Sequence, residues 1–110
     1  MKSNRQDTAR ERKRNEDALF RAVISLQSLS ECRNFFKDLC TPAELQALTD
    51  RWQVVGLLQK NLPYRKIHAM TGVSVTTIGR VARFLSDGHG GYTAAIEHSR
   101  HHPDKKSATH

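Results

Sequence analysis

The stretch that decides the fold is residues 63–85, PYRKIHAMTGVSVTTIGRVARFL. Gly72 stands where the chain must turn through a left-handed conformation, which glycine adopts without a Cβ clash. Ser74 can then cap a second helix with its hydroxyl group. We expect Ile67 and Val73 to fill the corner between the two helices. The segment therefore has the layout of a helix-turn-helix.

The second helix of this motif has two different faces. Its spacing predicts an inward apolar stripe of Val75, Ile78, Val81 or Ala82, and Leu85. The opposite stripe carries Thr76, Arg80 and Arg83, with Thr77 and Gly79 alongside.

In the first helix, His68 stands where helix-turn-helix sequences usually carry alanine, and we favour a structural role over a pH switch.

Charge is concentrated around the same segment. The 110 residues contain 18 Lys and Arg against 11 Asp and Glu, a net charge of +7. No acidic residue lies between Asp50 and Asp87, whereas the basic residues there are Arg51, Lys60, Arg65, Lys66, Arg80 and Arg83. A basic block without carboxylates is typical of a surface that neutralises phosphates. The alternative is a solvated basic face beside an ordinary helical hairpin.

Together the motif and the charge predict a sequence-specific DNA-binding protein with residues 75–85 in the major groove of double-stranded DNA. The candidates for base-edge or adjacent phosphate contacts are Ser74, Thr76, Thr77 and Arg80, and those for backbone contacts are Arg65, Lys66 and Arg83. The competing hypothesis is a dimeric protein-interaction module that binds an acidic partner without sequence-specific DNA binding.

The chain upstream also predicts helices. Apolar residues recur at helical spacing from Leu19 to Leu29, and Ser30 can cap a second helix. Residues 41–44, TPAE, form a capping-box pattern that opens a long helix, and Pro63 ends it. A last helix is predicted over residues 92–98, after Gly88, Gly90 and Gly91. Since no segment alternates with a period of two, the fold class is all-α.

The ends of the chain are too polar to build a core. We expect a flexible basic arm at 1–15, an all-helical DNA-binding and dimerisation domain at 16–98, and a disordered tail at 99–110. No apolar run is long enough to span a membrane, and residues 1–14 lack the pattern of a secretory signal, so a cytoplasmic protein is expected. Cys32 and Cys40 are then reduced thiols.

Catalytic and metal-binding patterns are not evident in the sequence. No set of residues suggests a catalytic site, so an enzyme is not expected. The histidines at 98, 101, 102 and 110 share no rigid element, so no metal site is predicted.

Residues 39–85 resemble the Trp repressor family. The likeness is carried by the stretch Leu39 to Leu48, LCTPAELQAL, by Arg51 and by the turn from Gly72 to Arg80, GVSVTTIGR. It is similar above all to family members of uncharacterised role, in which Gly-Gly-Tyr, here residues 90–92, also follows the motif. The resemblance implies a bacterial transcriptional repressor that forms an intertwined all-helical homodimer. The helix-turn-helix motifs of the two subunits would bind DNA half-sites about 34–36 Å apart.

The resemblance also implies a site for tryptophan at Thr41, Arg51 and Arg80. The chain departs from the family pattern at Val81 and Phe84, where smaller residues stand near the ligand. The segment 51–72 is also a residue shorter than its counterpart, which leaves open whether Arg51 faces the same pocket. The alternatives are another small effector, or none because Phe84 fills the space, and no other cofactor is expected.

Overall fold

The computed structural model describes residues 8–101, and this part of the chain is helical without strands. Its helices are α1 (Ala9–Ile24), α2 (Leu29–Leu39), α3 (Pro42–Gln59), α4 (Tyr64–Thr71), α5 (Val75–Asp87) and α6 (Gly91–His101). The all-α prediction is confirmed. No helix within the described range is long and apolar enough to cross a membrane.

The first helix begins inside the segment expected to be a flexible arm. Thr8 caps α1, since its hydroxyl oxygen accepts from the Glu11 N–H at 3.0 Å and its own N–H donates to the Glu11 carboxylate at 3.0 Å. Lys13 and Asp17 form an ion pair one turn apart, at 3.3 Å. These local polar contacts support a helix in a region too polar to bury a core. Residues 1–7 of the expected arm lie outside the described part.

The second helix begins earlier than the sequence suggested. Its N-cap is Ser28, whose hydroxyl accepts from the Glu31 N–H at 3.0 Å, and not Ser30, which lies inside α2. The Glu31 carboxylate also accepts from the Gln27 N–H at 2.8 Å. Glu31 therefore selects the earlier of the two serines, because only Ser28 stands three residues before it.

The long third helix begins as predicted. The Thr41 N–H donates to the Glu44 carboxylate at 2.8 Å, and the Glu44 N–H donates to the Thr41 hydroxyl at 3.1 Å. This reciprocal pair is the capping box that the sequence pattern indicated. The last helix, α6, extends three residues beyond the predicted 92–98 and reaches His101, inside the expected tail. The rest of that tail, 102–110, is outside the described residues.

The described part of the chain divides into two compact units, the first ending at Leu45 and the second beginning at Gln46. In the first unit, none of the described side chains of α1 and α2 is buried. Cys32 and Cys40 are free thiols and half-buried. Large apolar side chains that remain exposed in this unit are Leu19, Phe20, Ile24, Leu29 and Leu39. The first unit thus presents apolar surface.

The second unit contains the hydrophobic core. Its buried side chains are Val54 and Val55 from α3, Ile67 from α4, Val73 from the turn, and Ile78 and Val81 from α5. Leu57, Leu58, Leu62, Leu85, Tyr92 and Ile96 are partly buried against them. Helix α5 packs against both α4 and α6. The expectation that Ile67 and Val73 fill the corner of the motif is confirmed.

The prediction that Val75 belongs to the inward apolar stripe is wrong. Val75 is 50% exposed, although Ile78 and Val81 of the same stripe are buried. Val75 is the first residue of α5, and Val73 already fills the corner at that end of the helix. Helical spacing identifies a face but does not show how far along the helix a neighbour covers it.

We expect Gly72→Ala to lower the free energy of unfolding by about 1–2 kcal/mol, because Gly72 has a φ of +79° and an L side chain is strained there. The matched control is Gly56→Ala in the middle of α3, where an added Cβ meets nothing within 4 Å. This change should raise the free energy of unfolding by about 0.5–1 kcal/mol. Urea denaturation at one protein concentration measures both, and equal effects of the two changes would contradict the role given to Gly72.

Candidate nucleic-acid interface

The turn between α4 and α5 is held by both backbone and side chains. Gly72 donates its N–H to the His68 carbonyl at 2.8 Å. The Thr71 hydroxyl donates to the Ile67 carbonyl at 2.7 Å and accepts from the Val73 N–H at 3.0 Å. The turn therefore has a fixed geometry rather than a loose connection.

His68 contributes to the same turn. Its Nδ1 lies 2.7 Å from the Val73 carbonyl oxygen. Because a carbonyl oxygen only accepts, Nδ1 must carry the hydrogen in this contact. The contact favours the structural role over the pH switch.

The start of α5 is fixed by two hydroxyl groups. The Ser74 hydroxyl accepts from the Thr77 N–H at 3.1 Å and donates to the Thr77 hydroxyl at 3.1 Å. Ser74 and Thr77 are therefore committed to the cap, whereas Thr76 is exposed beside them. Of the three hydroxyl side chains predicted to contact DNA, Thr76 is the one whose hydroxyl takes no part in the cap.

The basic side chains are exposed on the same motif. Thr76, Arg80 and Arg83 lie three or four residues apart on α5 and share one face of the helix. Arg65 and Lys66 are exposed in the first turn of α4. Among the residues that the structure describes, none of these four basic side chains forms an ion pair. All seven predicted DNA-contact residues thus lie on α4, on α5 or at the cap between them.

An open groove lies beside this face, with a volume of about 660 Å³. It is lined by Arg51, Arg80, Val81, Phe84, His89, Gly91 and Tyr92. Arg51 and Arg80, two residues of the implied effector site, therefore line one groove. The third, Thr41, belongs to the other compact unit, where it caps α3.

The sequence did not indicate that the Phe84 ring contacts arginine side chains. The guanidinium carbon of Arg80 lies 4.7 Å from the centre of the Phe84 ring, and that of Arg83 lies 5.8 Å from it. His89 and Tyr92 also line the groove, although neither was predicted to belong to a site. The spacing of Arg80 and Phe84, four residues apart on a helix, was the available signal for the stacking. No cluster of potential metal ligands occurs within residues 8–101.

The capped turn, the buried corner and the exposed basic helix define a helix-turn-helix protein. The model of the Trp repressor protein family matches residues 14–100. The chain belongs to this family, which is a family of DNA-binding regulators.

Individual relatives agree with this assignment. The chain is 43% identical over 81 residues to YerC of Bacillus subtilis (strain 168), a protein described as uncharacterised, with 74% of this chain and 78% of YerC covered. A TrpR-like protein from Eubacterium eligens ATCC 27750 has a TM-score of 0.71 and 39% identity, covering 74% of this chain and 84% of that one. A candidate Trp repressor from Staphylococcus aureus has a TM-score of 0.73 and 37% identity, covering 78% and 86%.

Proposed function

We propose that this protein is a dimeric, sequence-specific DNA-binding repressor of transcription that acts in the bacterial cytoplasm. Residues 75–85 enter the major groove, and double-stranded DNA is the main partner. The observation that carries the proposal is the exposed basic face of α5, which begins at a capped turn and has no acidic residue between Asp50 and Asp87 to compensate it.

The side chains on this face suit a division of labour, in which some contact bases and others contact the DNA backbone. The first turn of α5 presents the small hydroxyl of Thr76, which allows close approach to base edges. Arg80 and Arg83 follow along the same face and can reach guanine or phosphate oxygens. Arg65 and Lys66 on α4 supply charge for the DNA backbone. This order matches a helix whose N-terminal end reads bases and whose neighbours fix its position.

Selection from a pool of random genomic fragments at about 0.15 M salt tests the proposal. We expect enrichment of one sequence with two half-sites about 10 base pairs apart from centre to centre. Retention of all fragments equally, or of none, contradicts sequence-specific binding. Either result would favour the alternative, a protein-interaction module that binds an acidic partner through the basic residues.

The dimeric state is supported by the first unit. Neither α1 nor α2 buries a side chain within the described residues, and Ile24 is 81% exposed while Leu29 is 69% exposed. Exposed apolar side chains are unfavourable in water, and where they group together they mark an interaction site. A second copy of the chain is the partner that the family resemblance implies.

Ile24→Lys should shift the protein from dimer toward monomer, because it places a charge within surface that the proposed dimer buries. Sedimentation velocity at several protein concentrations measures the shift. The matched control is Gln27→Lys, which adds the same charge at an exposed polar position nearby. A wild-type protein that sediments as a monomer would overturn the dimer, whereas equal effects of the two variants would show that Ile24 lies outside the dimer interface.

Thr76→Ala and Arg83→Ala should weaken DNA binding in different ways. Loss of the Thr76 hydroxyl should reduce the preference for the selected sequence over single-base variants. Loss of Arg83 should weaken binding to all duplexes similarly and lower the slope of log K against log salt by about one unit. Fluorescence anisotropy titrations at several salt concentrations measure both effects. Arg83→Lys is the control that retains the charge and should retain the slope, and identical losses in all three variants would reject the division of labour.

We also propose that DNA binding needs no tryptophan. The Phe84 ring lines the groove and already contacts Arg80, one of the residues that the implied tryptophan site would use, and this contact supports the alternative without an effector. Saturating tryptophan should therefore change the DNA affinity by less than about fivefold, the lower end of typical allosteric coupling. A larger increase in the same titrations would instead support an effector site at Thr41, Arg51 and Arg80.

A further inference from the structure

Phe84 has a position on α5 that the DNA-contact proposal does not explain. Its ring is half-buried and lines the groove, and the guanidinium carbon of Arg80 lies above it at 4.7 Å. The guanidinium carbon of Arg83 is within 5.8 Å of the same ring centre. One aromatic ring thus contacts two arginines of the exposed face. Both distances fall within the range over which a cation is attracted to an aromatic ring, about 6 Å.

The backbone at Gly88 passes close to the Phe84 ring. A Cβ atom at Gly88 would collide with the carbonyl oxygen of Phe84 and lie 3.0 Å from its Cδ1 atom. The Gly88 N–H donates to that carbonyl at 2.9 Å. The glycine at this point therefore allows the chain to pass close to the ring. With two side-chain torsion angles, the ring is stiffer than the long arginine side chains that rest on it.

We propose that Phe84 is a positioning residue that pre-orders Arg80, and to a lesser extent Arg83, for contact with DNA. This inference rests on the proposed function. An exposed arginine loses rotamer freedom when it binds, and this loss weakens binding. Stacking on Phe84 restricts the Arg80 side chain before DNA arrives, while all of its N–H donors stay in the plane of the guanidinium and remain available. Phe84 would thus raise the affinity for DNA without touching it.

The test compares Phe84→Leu with Phe84→Tyr. Leucine keeps an apolar side chain in the groove but removes the aromatic face, whereas tyrosine keeps that face. Phe84→Leu should weaken binding of the selected duplex about two- to fivefold, the effect expected for an exposed cation–π contact, and Phe84→Tyr should retain wild-type affinity. Circular dichroism and thermal unfolding establish that each variant is folded.

A double-mutant cycle separates positioning from a general effect on the fold. In an Arg80→Ala background, Phe84→Leu should cause less additional loss of affinity than it does in the wild type. A loss of equal size in both backgrounds means that Phe84 acts on the fold or on another contact, and it overturns the proposal. A smaller coupling is expected with Arg83→Ala, because Arg83 is farther from the ring.

Nuclear magnetic resonance of the free protein gives a readout that requires neither DNA nor a stable leucine variant. The side-chain protons of Arg80 should be shifted upfield by the Phe84 ring in the wild-type protein and in Phe84→Tyr. Arg80 resonances at random-coil positions in the wild type would overturn the proposal directly. If wild-type protein binds no DNA, the proposed function fails as well; if it binds DNA and Phe84→Leu binds equally well, only this inference fails.

Discussion

The packing of Ile67 and Val73 against Ile78 and Val81, around a left-handed glycine, is the constraint on which the candidate interface depends. These side chains are buried and fix the relation between α4 and α5. Each fully buried aliphatic side chain contributes about 1.5–3 kcal/mol to folding, and within residues 8–101 this core contains six buried residues. In so small a core the polar contacts of the turn, each worth about 0.5–1.5 kcal/mol, are a substantial addition.

The same packing explains why α5 has an exposed basic face that does not itself stabilise the fold. Burying Ile78 and Val81 directs Thr76, Arg80 and Arg83 outward, because they lie on the opposite face of one helix. Like charges in a segment that lacks carboxylates repel each other, so the arrangement opposes compactness slightly. A polyanion removes that repulsion when it binds. The same basic charges therefore cause repulsion in the free protein and would cause attraction in a complex with DNA.

The sequence was sufficient where the structure depends on local rules. The capping box at Thr41 and Glu44, the left-handed Gly72 and the cap at Ser74 each follow from neighbours within a few residues. It was insufficient where two local rules competed or where packing decides. Ser28 and Ser30 are both good caps, and the position of Glu31 selects the former. Val75 has the spacing of a core residue but lies beyond the part of α5 that its neighbours cover.

The candidate site shows the same limits. The spacing of Thr76, Arg80 and Arg83 on α5 was readable from helical periodicity, and so was the absence of acidic residues around them. The approach of Arg51 to the groove depends on tertiary packing, and neither the family resemblance nor the length of the segment determined it. The commitment of the Thr77 hydroxyl to Ser74 likewise depends on side-chain rotamers, which a sequence does not give.

Arg80 links the two parts of the site, because it lines the groove and also belongs to the exposed face of α5. A ligand in the groove can alter DNA binding only if it has different affinities for two arrangements of the protein. In the structure the guanidinium of Arg80 has one arrangement, stacked on Phe84, and a ligand in the groove would have to favour another. Competition between Phe84 and a ligand for this one side chain would then connect the groove to DNA binding without any movement of the helices.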